Sequence, residues 1–148
     1  MNDQDLKVIQ LSHLLVERNF AQAADLIQTA FQPSQVTRVL HNLTEQSTGL
    51  ITYAFVNYMI RIENTAFWHK VAACIASESL DKVPQGHNTG LYHILEAIKL
   101  DPHDWMLKEY ALGFYQEGLL QKEKARQFSL EILAHEPASK LALKILAE

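Results

Sequence analysis

Glycine and proline are scarce in this chain, and they fall between stretches whose apolar residues recur at steps of three and four. Only five Gly and four Pro occur among the 148 residues. Because both residue types interrupt regular structure, this placement predicts an all-α protein and disfavours strands. The nine helices predicted by the pattern cover residues 3–17, 20–31, 34–45, 48–62, 64–78, 89–100, 104–116, 122–134 and 138–146.

Length and charge restrict the function classes further. Hydrophobic residues make up 48% of the 148 residues, enough for the core of a single helical domain over residues 1–148. The net charge of −4 is mild and no polybasic run occurs, so neither a nucleic acid nor a membrane is an expected partner. Residues 75–148 hold eleven acids against eight bases, which favours a basic partner for that half.

The first residues and the single cysteine indicate a cytoplasmic protein. Met1 is followed by polar residues, which predicts no signal peptide, and Cys74 alone excludes an intramolecular disulfide. The most apolar stretch, 50–62, contains Asn57 and Arg61 and is too short to span a bilayer. It is interpreted as a buried central helix.

The predicted boundaries have chemical reasons. Pro33, Pro102 and Pro137 lie at predicted first-turn positions. The amide hydrogens of a first helical turn have no partner within the helix, so the missing N–H of a proline costs nothing there. Ser34, Thr48, Asn64 and Asp104 are predicted as N-caps or first-turn residues. Residues 83–89 form the longest predicted loop, which is either functional or a connector.

The C-terminal part of the sequence contains a repeat of about the length of one helix pair. Pro102 and Pro137 lie 35 residues apart and each follows the end of a helix. Leu112, Gly113 and Ala125 occupy positions at which tetratricopeptide repeats carry Leu, Gly and an inter-helix Ala. The last unit, 104–137, therefore resembles a tetratricopeptide repeat.

The N-terminal pair, residues 3–31, resembles the same family, with Phe20 and Ala23 at its turn and Ala30 at a later small position. The resemblance fades between the two ends. It implies antiparallel helix pairs stacked as a short, irregular, right-handed superhelix of about nine helices. An ordinary helical bundle with a chance period is the alternative.

The order of the predicted helices and loop across residues 53–146 is also distinctive. An aromatic helix is followed by Trp68 and His69, then by a loop, by Tyr92 and His93, and by a final helix pair. This order resembles small helical immunity proteins that bacteria encode beside polymorphic or contact-dependent toxins. The resemblance implies a non-enzymatic function, the neutralisation of a toxin by direct binding.

Catalytic, metal and nucleotide sites find little support in the sequence, and no cofactor is expected. His69 and Cys74 lie five positions apart on one predicted helix, so they would point to different sides. Gly86 and Gly90 precede a helix without the Lys and Ser or Thr of a phosphate loop. Three His–Glu pairs at helical spacing have no linking metal motif; they are His13 with Glu17, His41 with Glu45, and His93 with Glu96.

A DNA reader is the main alternative to a protein-binding module. Residues 24–43 resemble a helix-turn-helix, with Val36, Val39 and Leu40 packed inward and residues 45–51 leading into a wing. Phosphate contacts would require several flanking cations, yet Arg38 is the only Lys or Arg between Arg18 and Arg61. A general tetratricopeptide-type adaptor or chaperone is the second alternative.

Partner-binding residues are predicted on two surfaces. Tyr53, Asn57 and Arg61 recur at steps of four and form a polar stripe on an apolar helix, which faces solvent, a partner or an internal hydrogen bond. Tyr110 and Glu117 fall where the tetratricopeptide resemblance implies a concave face; Phe114 shares that position but is expected in the core. The acids Glu78, Asp81, Glu109 and Glu117 would suit a basic toxin domain.

Overall fold

A computed structural model describes residues 1–148 as an all-helical chain of nine α-helices without a strand, which confirms the predicted class. No helix is both long enough and apolar enough to cross a bilayer. The helices are α1 Asp3–Val16, α2 Phe20–Ala30, α3 Pro33–Leu43, α4 Leu50–Ile62, α5 Ala66–Cys74, α6 Gly86–Leu100, α7 Trp105–Gln116, α8 Lys122–His135 and α9 Lys140–Ala147.

Helices α3 and α5 each continue into one π-helical turn, π1 (Thr44–Thr48) and π2 (Ile75–Ser79). The Leu80 amide donates to the Ile75 carbonyl at 2.9 Å, five residues back. Such a turn is wider than an α-turn and is frequent at functional sites. The sequence predicted single helices over 34–45 and 64–78 because periodicity does not distinguish the two kinds of turn.

Side-chain caps fix several helix starts. Asp104 accepts a hydrogen bond from the Met106 amide, as predicted, and Pro33 occupies the first turn of α3. The α5 cap is Thr65 and not Asn64, because the Thr65 hydroxyl accepts from the Trp68 amide. The cap of α4 is Gly49 at φ 50°, since Thr48 belongs to π1.

The predicted loop 83–89 is displaced. Helix α6 begins at Gly86, so the connection after π2 covers residues 80–85. A Cβ on Gly86 would lie 2.6 Å from the Leu80 carbonyl oxygen, and one on Gly90 would lie 2.8 Å from the Ser77 Cβ. The two glycines therefore let α6 pack closely against α5 and π2. This is a structural role for two residues to which the sequence assigned no function.

Two hydrophobic cores lie on either side of α5. The first joins α1 to α5 and π2, and the second joins α5 to α9. Trp68, Val71, Ala72 and Ile75 belong to the first core, whereas Ala73 belongs to the second. Because α5 supplies residues to both cores, this helix sets the position of the two halves.

Helix α4 is only partly the buried cylinder that the sequence predicted. Phe55, Val56 and Met59 are fully buried, but Leu50 and Ile62 at its two ends are more than half exposed.

Consecutive helices pack as neighbours from α5 to α9, and α1 packs on α2. Ala23 and Ala125 are buried, whereas a Cβ on Gly113 would meet no atom within 4 Å, so Gly113 is not required for close packing. The superhelical repeat stays a prediction.

Candidate functional site

Two polar clusters lie at opposite ends of the segment formed by α5 and π2. The first, here called the histidine network, consists of Tyr53, Asn64, His69 and His93. His69 Nδ1 is 3.0 Å from His93 Nδ1, and His69 Nε2 is 2.9 Å from Asn64 Oδ1. The Tyr53 hydroxyl is 2.8 Å from His93 Nε2. The network thus joins α4, α5 and α6.

The hydrogen bonds of the network run in one direction. His69 donates from Nε2 to Asn64, so its Nδ1 accepts from His93 Nδ1, and His93 Nε2 accepts from Tyr53. This arrangement requires both imidazoles to be neutral. It gives a hydrogen-bond partner to every nitrogen of the two buried rings. The exposed fraction is 5% for His69 and 3% for His93.

Electrostatics favour the neutral rings. The pKa of His93 is lowered to about 4, first because burial penalises the charged form and then because His69 lies beside it, while Glu96 opposes the shift. Burial also lowers the pKa of His69, again against the attraction of Glu96. Both rings are therefore uncharged near neutral pH.

The second cluster, here called the acidic cleft, opens at π2. It has a volume of about 230 Å³ and is lined by Ser77, Glu78, Tyr110, Gly113, Phe114 and Glu117. The Tyr110 hydroxyl donates to Glu78 Oε1 at 2.9 Å and lies 3.1 Å from Ser77 Oγ. His87, in the first turn of α6, pairs its Nδ1 with Glu117 Oε2 at 2.6 Å.

The cleft presents charge above an apolar floor. Phe114 is 4% exposed, as its predicted core position requires, whereas Glu78 and Glu117 are exposed. The pKa of Tyr110 is raised above its ordinary value, chiefly by burial and also by the Glu78 carboxylate, although the Ser77 hydrogen bond opposes the shift. Tyr110 therefore stays protonated and donates to the Glu78 carboxylate.

The structure brings together three of the eight predicted partner-binding residues. Glu78, Tyr110 and Glu117 share the acidic cleft. Asp81 is exposed in the following turn, and Glu109 is half-buried, where it accepts from the Ser139 hydroxyl at 3.3 Å. These two acids are not part of the cleft lining.

The polar stripe of α4 is largely used inside the molecule. The Tyr53 hydroxyl contacts His93, and the Asn57 amide donates to the Tyr53 carbonyl at 2.9 Å. Only Arg61 of the stripe is exposed, and it forms no ion pair. The stripe is thus mainly accounted for by internal hydrogen bonds, one of the interpretations that the sequence left open.

The suggested DNA-reading pair corresponds to α2 and α3. Val36 and Leu40 are buried and Val39 is half-buried, as that interpretation expects. Residues 45–51 do not lead into a wing, because they form π1 and the start of α4. Ser34, Arg38 and Asn42 are the exposed residues of α3 between residues 34 and 42, and they include a single cation.

Sequence reasoning missed contacts between distant helices. The Cys74 thiol donates to Glu78, whereas His69 bonds to Asn64 and His93; His41 of α3, Cys74 and Glu78 place one ligand atom each within 4.8 Å of one another. His41 was considered only with Glu45, which lies 3.6 Å from its Nε2. The spacing of Cys74 and Glu78, four residues apart on one helix face, was the available signal.

Trp68 is buried in the first core with its indole Nε1 donating to Glu63 Oε2 at 3.2 Å, and Trp105 is half-buried. Neither lies in the acidic cleft.

Comparisons of the chain with protein-family models, curated proteins and solved structures give no match.

Proposed function

We propose that this chain is a non-enzymatic protein-binding module that holds a basic partner protein at the acidic cleft. The observation that carries the proposal is the convergence of Glu78, Tyr110 and Glu117 from π2 and α7 on one opening. Two carboxylates and a phenol above the buried Phe114 ring suit a Lys or Arg side chain, whose stem packs on the ring while its charge meets the acids.

The cleft can bind a partner's cation while it keeps its internal contacts. Glu117 pairs with His87, and Glu78 accepts from Tyr110 and from the Cys74 thiol; these hydrogen bonds lie at an exposed surface. A carboxylate oxygen accepts more than one donor, so an incoming cation need not break either contact. Complementary charge would also speed association and make its rate depend on salt.

The most specific form of the proposal is an immunity protein that neutralises a cognate bacterial toxin in the cytoplasm. It rests on the resemblance in residues 53–146 and on the cleft, which suits a basic toxin domain. Helix pairs 3–31 and 104–137 would then stack as an irregular tetratricopeptide-like superhelix that presents the cleft. A general adaptor uses the same surface without a toxin.

Co-expression tests this proposal directly. The product of the adjacent upstream gene is expressed in bacterial cells with and without this chain, and growth and co-purification are measured. We expect growth arrest without the chain, rescue with it, and a stable complex. Absence of both toxicity and co-purification would contradict the immunity function.

A charge-matched pair of variants ties the result to the cleft. The double variant Glu78→Gln with Glu117→Gln removes both cleft carboxylates. The control, Glu123→Gln with Glu136→Gln, removes one exposed acid in α8 and one directly after it, neither of which forms an ion pair. Only the cleft variant should lose rescue. If the purified chain instead binds heparin or DNA with an affinity that falls steeply with salt, the DNA-reading alternative is supported.

A further inference from the structure

We infer that His41, Cys74 and Glu78 form a binding site for a zinc ion, beside the acidic cleft. This site goes beyond the proposed protein binding, because it uses α3 and the junction of α5 with π2 and needs no partner. The three side chains offer a nitrogen, a sulfur and an oxygen ligand that lie within 4.8 Å of one another.

The distances are close to those of an assembled site. Zinc binds Cys sulfur at about 2.3 Å and His nitrogen or carboxylate oxygen at about 2.0–2.2 Å, so two ligands of one ion are separated by at most about 4.5 Å. Cys74 Sγ and Glu78 Oε2 are already 3.3 Å apart. Small side-chain rotations therefore suffice to bring all three atoms onto one ion.

The surroundings prepare His41 as a ligand. Ser79 Oγ lies within hydrogen-bond distance of His41 Nδ1. When Nδ1–H donates to that oxygen, the lone pair of Nε2 is left for an ion, which is the usual role of a second partner on a metal-binding imidazole. Glu45 Oε1 lies 3.6 Å from Nε2 but is outside the group of three ligand atoms that lie within 4.8 Å of one another.

The backbone explains why these ligands meet. His41 lies in the last turn of α3, just before π1, and Cys74 and Glu78 lie on either side of the start of π2. Helix α3 packs against π2, which brings the imidazole to the thiol across 33 positions of sequence. The ligands thus come from two helices held together by the first core.

The ligand set favours zinc over other common ions. Magnesium and calcium prefer oxygen ligands alone, whereas a thiolate with an imidazole and a carboxylate is typical of zinc. Burial raises the pKa of the Cys74 thiol to about 12, and the Glu78 carboxylate raises it too, while Lys70 opposes the shift. The metal-free thiol therefore keeps its proton at neutral pH.

Binding exchanges that proton for the metal. Zn²⁺ forms a bond to the Cys74 sulfur as the S–H bond breaks, the electron pair stays on sulfur, and the proton goes to solvent. No oxidation or reduction occurs. One proton is thus released from the thiol for each ion bound.

Cobalt(II) substitution in the purified full chain tests the site. We expect one equivalent of Co²⁺ to produce the near-ultraviolet thiolate-to-cobalt charge-transfer band and to be displaced by Zn²⁺. Cys74→Ser should abolish the band. His41→Gln and Glu78→Gln should each weaken zinc binding at least about tenfold. Circular dichroism verifies that each variant is folded.

Two matched controls distinguish this site from adventitious binding. His13→Gln changes a histidine that also precedes a glutamate by four positions, and Asp81→Asn changes an exposed acid three residues after Glu78. Both should bind zinc as the unaltered chain does. Absence of the thiolate band, or zinc binding that is equal in the Cys74→Ser and His41→Gln variants and the unaltered chain, would overturn the site.

Discussion

The two polar clusters on α5 and π2 differ in how completely their hydrogen bonds are matched. In the histidine network, two buried imidazoles satisfy both of their nitrogens on Tyr53, on Asn64 and on each other. In the acidic cleft, Glu78 and Glu117 are exposed and keep oxygen lone pairs that no neighbour uses. One segment thus holds a cluster that supports the fold and a cluster that remains available to a ligand.

The difference follows from burial. An unmatched polar group costs roughly 1–3 kcal/mol when buried, so the network tolerates little change. At the cleft, water replaces a lost contact at little cost. Substitutions in the network should therefore lower stability, and substitutions in the cleft should lower binding and leave stability nearly unchanged.

The largest expected effect comes from His93→Ala. The substitution opens a buried cavity and leaves Tyr53 and His69 without their partner, so the free energy of unfolding should fall by about 3–4 kcal/mol. Urea denaturation measures the change. His87→Ala, on the same helix but in contact with exposed Glu117, is the control and should cost less than about 1 kcal/mol. Equal losses in the two variants would contradict the contrast between the clusters.

Acidification should produce the next largest effect. The folded-state pKa of His93 is about 4 against an ordinary 6.5, so the unfolded chain binds this proton more readily. Its contribution to stability is complete above pH 6.5 and is lost as pH falls towards 4, by up to about 3 kcal/mol. His69 acts in the same direction.

A comparison with His93→Gln isolates this contribution, because other titrating groups are common to both proteins. Between pH 7 and 4, the unaltered chain should lose more unfolding free energy than the variant. Parallel stability curves would show that His93 is not held neutral by burial.

A further pair of variants tests the close packing of α6 at the acidic cleft. Gly90→Ala puts a Cβ 2.8 Å from the Ser77 Cβ and 3.2 Å from the Phe114 ring, so it should destabilise the fold by about 1–3 kcal/mol. Gly113→Ala meets no atom within 4 Å and should stabilise α7 by roughly 0.5–1 kcal/mol. Opposite signs in thermal denaturation would support this packing, and equal signs would contradict it.

The smallest expected effects come from two tyrosine hydroxyls. Tyr53→Phe leaves His93 Nε2 unpaired in the interior and should cost about 1–2 kcal/mol. Tyr110→Phe removes a donor to the exposed Glu78 and should cost less than about 1 kcal/mol. Denaturation at neutral pH compares them. A greater cost for Tyr110→Phe would reverse the assignment of structural and binding roles.

The sequence predicted the helices well and the contacts between them poorly. The apolar period and the placement of Gly and Pro located all nine helices, since those signals are local. The start of α6 at Gly86 depends on how α6 packs against π2, and no local pattern reports that packing or the two π-turns.

The candidate site was predicted in part for the same reason. Tyr110 and Glu117 lie seven residues apart on or next to α7, so the resemblance to a concave repeat face placed them together. Glu78 was proposed only from its charge, and it meets Tyr110 across 32 positions of sequence. The histidine network joins residues 24 and 40 positions apart, beyond the reach of helical spacing.

The affinity of the co-purified partner, measured by calorimetry, tests the account most directly. Three proteins are compared: the unaltered chain, Glu78→Gln with Glu117→Gln, and Glu123→Gln with Glu136→Gln. We predict at least about a tenfold loss of affinity for the cleft variant, little change for the control, and unfolding free energies within about 1 kcal/mol of each other. Equal affinity of the cleft and control variants would contradict the claim that the acidic cleft binds the partner.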